Sequence, residues 1–312
     1  MTAKLRRRTR AACAISLAVG ALFTVSTPAQ AATAPPVSAR GAILVNGATG
    51  AVLTSKAPDT KRQMASTTKV MTAAVVATTA GLDLNRKVTI KQTYLDYVYR
   101  EGASSASLKL GATPTVRQLL YAMLLPSGCD AAYALADTFG VGSTTAARRA
   151  DFIAKMNAKA KALGMTNTVY DSFDGISPTG NNLTTPRDLA TLTRYAMGNA
   201  LFQSIVKTTS YSSGGTSTLA TWWNTNLLVR ARPTGYGYPG ATGVKTGTGT
   251  AAGKCLVFSV SRNGKTIIGV LLNDEERYAD SMALSNWALG ATAGSRNTLR
   301  STDTERIPDV LD

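Results

Sequence analysis

The strongest constraint on the fold lies near the C-terminal end of the chain. Two apolar runs, "CLVFSVS" (255–261) and "TIIGVLL" (266–272), flank Arg262-Asn263-Gly264-Lys265. Asn-Gly supplies the positive φ that a two-residue hairpin turn demands, so the runs are expected to pair as antiparallel strands. A second hairpin is expected at 41–55, where "GAILVNGATGAVLTS" sets two short apolar strands around a Gly-rich turn. Between these hairpins the pattern is helical. A buried helix opens at Ser66 and runs without proline up to Gly81. Residues 115–125 form a second helix, stopped by Pro126, and residues 130–139 a third. "TTAARRADFIAKMNAKAKALG" is amphipathic and ends at Gly164. "TTPRDLATLTRYAM" offers Thr185 as N-cap, Pro186 in the first turn and Asp188 three residues after the cap. "GVKTGTG" precedes the C-terminal hairpin, and a last helix is expected at about 279–289. Two strands, a helical block, then three strands and a helix predict one largely antiparallel sheet with helices in a separate layer or lobe. No internal repeat is present.

The N-terminus reads as an export segment. Lys4, Arg6, Arg7, Arg8 and Arg10 form a basic region, 11–25 a short apolar core, and "AQA" ending at Ala31 a small-residue cleavage site. The apolar run is short for a bilayer span, although a retained anchor is the alternative. Cleavage would remove five positive charges and no negative ones, taking the net charge from +16 to +11. That balance suits anionic polymers or an anionic membrane surface, against the alternative of a solvated basic surface. No basic helix suggests nucleic-acid binding. Residues 291–312 form a polar, charged tail without amphipathic pattern, expected to be disordered.

The chain has no histidine. With two cysteines left after cleavage, a catalytic zinc site is not expected, and serine chemistry would have to run without an imidazole base. "MASTTKV" places Ser66 three residues before Lys69. On one helix face a hydroxyl and an amine at that spacing can meet, and a helix N-terminus offers N–H groups to a developing oxyanion. The spacing alone says little, because Ser204 and Lys207 repeat it without supporting context. Two further stretches add weight. "PSGCDAA" places Ser127 in the turn between two helices, and "GVKTGTG" holds the chain's only Lys-Thr-Gly.

Ser-x-x-Lys, Ser-x-Cys and Lys-Thr-Gly occur in order, 61 and then 118 residues apart. In this the sequence resembles the penicillin-binding proteins with D-alanyl-D-alanine peptidase activity. The similarity covers about residues 40–290 and includes "SFDGI" at 172–176 and "TTPRDLA" at 184–190; "PSGCDAAYALAD" looks like the small actinomycete DD-transpeptidases. The resemblance implies an α/β penicillin-recognising fold. A five-stranded antiparallel sheet with covering helices would carry a helical subdomain inserted at about 82–184, within a catalytic domain spanning 32–290. It implies Ser66 as nucleophile, Lys69 as its base and Ser127 as proton relay. A lysine is protonated near neutral pH in water, so burial or the nearby charge of Lys245 must favour the neutral amine. Lys245 and Thr246, in the Lys245-Thr246-Gly247 motif, would hold the substrate carboxylate. The N–H groups of Ser66 and Thr248 would form the oxyanion hole. Arg277 aligns loosely with a family arginine that assists carboxylate binding; a solvated surface arginine is the alternative. Partners implied are the D-Ala-D-Ala stem peptides of peptidoglycan and, as covalent inhibitors, β-lactams, with no cofactor or metal, for an exported monomer.

One position departs from the family. Cys129 stands where most relatives carry asparagine, and a thiol is a weaker hydrogen-bond partner than an amide. A nucleophilic Cys129 is a competing reading, but no histidine is present to activate it. Cys255 sits in an apolar strand pattern, as a core residue would, and a disulfide between the two cannot be deduced. A serine β-lactamase shares this fold; its class A members need a deacylating glutamate, and none lies between Glu101 and Glu275, which disfavours drug hydrolysis of that type. In "GTGTAAGK" the glycine that a phosphate loop needs first is Thr248, and Cys255 replaces its hydroxyl residue. A non-catalytic binder of cell-wall peptides is the remaining alternative.

Overall fold

The computed structural model describes residues 33–290, apart from 232 and 234, together with the first two residues. The export segment from residue 3 on and the tail at 291–312 lie outside the described residues. In chain order the elements begin with strands β1 (Gly41–Asn46), β2 (Val52–Lys56) and β3 (Arg62–Gln63). A 3-10 turn at Ala65–Thr68 runs into helix α1 (Lys69–Ala77). Helices α2 (Gln92–Glu101), α3 (Val116–Leu124), α4 (Cys129–Phe139) and α5 (Thr145–Ala162) follow. Then come β4 (Leu183–Thr184), α6 (Pro186–Met197), α7 (Ala200–Val206), β5 (Ser210–Ser212) and β6 (Thr221–Trp223). The chain returns to the sheet with β7 (Ala241–Gly249), β8 (Gly253–Arg262) and β9 (Lys265–Leu272), and α8 (Arg277–Leu289) closes it.

The main sheet is antiparallel with the order β2-β1-β9-β8-β7. The two hairpins join across β1 and β9, where Ile43 faces Val270. The Asn263-Gly264 turn has the expected left-handed backbone, with φ of 51° and 72°. Alternate strand residues feed two cores. Ile43, Val257, Ile268 and Val270 join the helices of the central block, while Leu44, Leu256, Phe258 and Leu271 pack with Tyr278 and Met282 of α8. Cover on both faces explains why these strands read as nearly continuous apolar runs. Gly269 lacks a side chain because its cross-strand partner Phe258 fills that space.

The helix ends follow their capping chemistry. Thr115 and Gln118 form a reciprocal capping box, Thr185 accepts from the Asp188 N–H, and Gly164, at φ 73°, follows α5. Three boundaries differ from the sequence expectation. Ser66 sits in a 3-10 turn, α1 ends at Ala77 short of Gly81, and α8 starts two residues earlier, at Arg277. After Ala77 the hydroxyls of Thr78 and Thr79 bond back to the carbonyls of Ala74 and Val75, which ends the helix in a threonine-rich turn.

Asp137 ties three helices together. Its buried carboxylate accepts from Lys91 Nζ at 2.7 Å, Arg148 Nε at 2.6 Å and the Tyr94 hydroxyl at 2.6 Å. Burial pushes the carboxyl up, but these donors outweigh it and hold the group at about 2. A depressed folded value means that the stabilisation is complete above the unfolded carboxylate range and is lost as pH falls from about 4 to about 2. Asp137→Asn is expected to flatten stability over that window in denaturant titrations; an unchanged slope would contradict this role.

Candidate active site

The site is built first on the 3-10 turn. Such a turn eclipses residues three apart, so it stacks Ser66 directly over Lys69. Lys69 Nζ lies 2.7 Å from Ser66 Oγ and is fully buried. The two threonines between them hold the turn: Thr67 Oγ1 donates to the Met64 carbonyl at 2.7 Å and Thr68 Oγ1 to that of Ala65 at 2.8 Å. Lys69 Nζ also donates to the Asp174 carbonyl at 2.9 Å and to Cys129 Sγ at 3.3 Å.

The stretch 172–176 clamps this turn from one side. Asp174 is buried, and its carboxylate accepts from the Tyr97 hydroxyl at 2.8 Å and the Ile176 N–H at 3.0 Å. Gly175 has φ of 106° and lies so close to the turn that a β-carbon there would meet the Ala65 carbonyl and come within 2.8 Å of the Ser66 nitrogen. Asn182 Nδ2 donates to Thr68 Oγ1 at 2.7 Å. Sequence reasoning gave Asp174 no role. Its contribution to Lys69 is a backbone carbonyl, which any residue carries, and only the Asp-Gly turn pair marks the place.

Ser127 occupies the bend between α3 and α4 with φ of 67°, and its carbonyl accepts from Ser104 Oγ at 2.7 Å. Its own hydroxyl is buried without a hydrogen-bond partner among the described residues. Leaving a buried hydroxyl unmet costs about 1–3 kcal/mol, so this group is poised for an incoming molecule. Cys129 is the first residue of α4 and is buried. Burial pushes its thiol up to about 12, against the opposing pull of Lys69. The sulfur is therefore a protonated neighbour of Lys69 near neutral pH, and this environment does not favour Cys129 as nucleophile. No disulfide joins it to Cys255, which is buried in β8.

The opposite wall is β7, the edge strand of the main sheet. Lys245 pairs with Val257 and Gly247 with Cys255, so Lys245 and Gly247 share one face of the strand. A β-carbon at Gly247 would lie 3.0 Å from the Met64 carbonyl and 3.1 Å from the Ser66 nitrogen. Glycine here lets the strand rest on the serine turn. Lys245 is buried, and its Nζ donates to the Thr246 carbonyl at 3.0 Å. Arg277, buried at the start of α8, donates through Nη1 to the Gly247 carbonyl and Thr248 Oγ1, both at 3.1 Å, and to the Cys255 carbonyl at 3.2 Å. It is not a solvated surface arginine. Lys69 thus joins Ser66 to Cys129, and Gly247, Thr248 and Arg277 form one bonded unit beside the serine turn. Ser204 is apart from this group, on α7, with its hydroxyl bonded to the Leu201 carbonyl one turn earlier.

Such an arrangement can activate a serine hydroxyl with an amine and receive an extended peptide along an open strand edge. A family model described as D-alanyl-D-alanine carboxypeptidase matches residues 28–276. A D-alanyl-D-alanine carboxypeptidase of Streptomyces sp. (strain K15) is 46% identical over 293 residues, covering 90% of this chain and 98% of the relative. One from Mycobacterium tuberculosis is 33% identical over 272 residues, covering 83% of this chain and 85% of the relative. The crystal structure of the Streptomyces K15 DD-transpeptidase superposes with a TM-score of 0.77 at 48% identity, covering 82% of this chain and 98% of that chain.

Proposed function

We propose, from the premise that this chain belongs to the D-alanyl-D-alanine carboxypeptidase family, that it is a serine-type D-Ala-D-Ala peptidase acting through Ser66. The observation that carries the reading is the 2.7 Å contact between Ser66 Oγ and a fully buried Lys69 in a chain without histidine. A neutral amine has two N–H bonds and one lone pair. The Asp174 carbonyl and Cys129 sulfur accept the two N–H bonds, which leaves the lone pair to take the Ser66 proton.

Ser66 Oγ attacks the carbonyl between two D-alanines as its proton passes to Lys69. The oxyanion is met by the N–H groups of Ser66 and Thr248, a pairing supported by the close approach of the neighbouring Gly247 to the Ser66 nitrogen. Ser127, with its unmet hydroxyl, relays a proton to the departing D-alanine amine. Lys245 and Thr246 hold the terminal carboxylate, and Arg277 braces their strand from the α8 side. The acyl group on Ser66 then passes to water, giving a carboxypeptidase, or to the amine of another peptide, giving a transpeptidase. β-Lactams acylate the same serine. Cys129 accepts from Lys69 more weakly than an asparagine oxygen would, which is this chain's departure from the usual pattern.

The substrate places the protein outside the cytoplasmic membrane, with residues 1–31 as its export signal and its basic body free to contact anionic wall or membrane surfaces. Residues 82–184 act as the helical lobe beside the sheet. Incubation with a D-Ala-D-Ala peptide, with and without an amine acceptor, tests the reading by product separation. Release of D-alanine is expected in both arms, with a transfer product in the second. No D-alanine in either arm would refute it.

A further inference from the structure

Thr225 lies two residues beyond β6, in a segment held at both sides by buried asparagines. Asn224 donates to the carbonyls of Val206 at 3.1 Å and Thr208 at 2.9 Å, and Asn226 accepts from the Leu228 N–H at 3.1 Å. Three polar groups of Thr225 reach three different parts of the site. Its N–H donates to the Leu125 carbonyl at 2.9 Å, two residues before Ser127. Its carbonyl accepts from the Tyr278 hydroxyl at 3.0 Å, next to Arg277. Its Oγ1 lies 2.7 Å from Thr246 Oγ1.

We infer that Thr225 is a positioning residue whose hydroxyl orients that of Thr246 toward the substrate carboxylate. The inference rests on the DD-peptidase reading above. A threonine hydroxyl has one proton to give. Either hydroxyl of this pair can donate; an anion beside Thr246 selects Thr225 as donor, which frees the Thr246 proton to point at that anion. Lys245 Nζ donates to Thr246 Oγ1 at 3.5 Å and, as an ammonium, cannot accept its proton, which is left for an anionic oxygen entering the site. The backbone bonds of Thr225 fix where its hydroxyl starts from, and so the direction in which Thr246 is held.

Thr225→Val keeps the β-branched volume and removes the hydroxyl. Benzylpenicillin and its methyl ester, which masks the carboxylate, are the probes, and acylation efficiency is read for each. Thr225→Val is expected to lose about tenfold with the acid, typical of one hydrogen bond to a charged group, and less than about twofold with the ester. Thr225→Ser restores the acid rate. Thr225→Ala gives the same selective loss if the added methyl of valine disturbs folding. An unchanged acid-to-ester ratio in both Val and Ala variants, or no rescue by Ser, overturns the inference while wild-type acylation leaves the DD-peptidase reading standing. A wild-type protein that benzylpenicillin does not acylate overturns both.

Discussion

Lys69→Arg is expected to lower the rate of acylation by benzylpenicillin at least about a hundredfold, the usual loss when a general base is removed. The substitution keeps the positive charge. A guanidinium does not release its proton in the working range, so it cannot accept one from Ser66. No histidine is present to take over, and the buried thiol of Cys129, held at about 12, stays protonated near neutral pH. Stopped-flow acylation with a fluorescent penicillin measures the effect. A near-normal rate in Lys69→Arg would show that the proton leaves by another route.

The second large effect is expected at a residue with no side chain. Gly175→Ala places a β-carbon against the Ala65 carbonyl and close to the Ser66 nitrogen, at a φ of 106° that alanine tolerates poorly. The loop must move away from the serine turn and take the Asp174 carbonyl with it, off Lys69. Overpacking and backbone strain together cost about 2–4 kcal/mol, which for a domain of this size lowers the melting temperature by roughly 5–10 °C. Displacement of the nucleophile by about an ångström costs roughly a hundredfold in acylation. Thermal melts and acylation rates of one preparation test both. A variant that melts and reacts like the wild type would mean that the loop does not brace the turn.

The sequence was most legible where side chains alone carry the information. Asn263-Gly264 could serve only as a tight turn, and Thr185-Pro186 with Asp188 could serve only as a helix start; the structure has both. The residues of the three motifs stood out for the same reason, since the proposed roles of nucleophile, base and carboxylate clamp are side-chain chemistry. Other features were hidden. Helix α2 escaped notice because its two buried residues, Tyr94 and Tyr97, sit among charged and polar neighbours with no N-cap side chain ahead of them. Helix α7 is only seven residues long, too short for a periodic signal. The 3-10 character of Ala65–Thr68 comes from its packing under β7 and the 172–176 loop, contacts made by chain segments more than a hundred residues away. Thr225 is hidden too, as a partly exposed threonine that acts through another threonine.

The central claim is that Ser66 alone carries the acyl group. Treatment with benzylpenicillin, proteolysis and mass spectrometry measure this directly. A single penicilloyl adduct is expected on the peptide containing Ser66, absent from Ser66→Ala. An adduct on Cys129 or Ser204, or an undiminished adduct in Ser66→Ala, would contradict it.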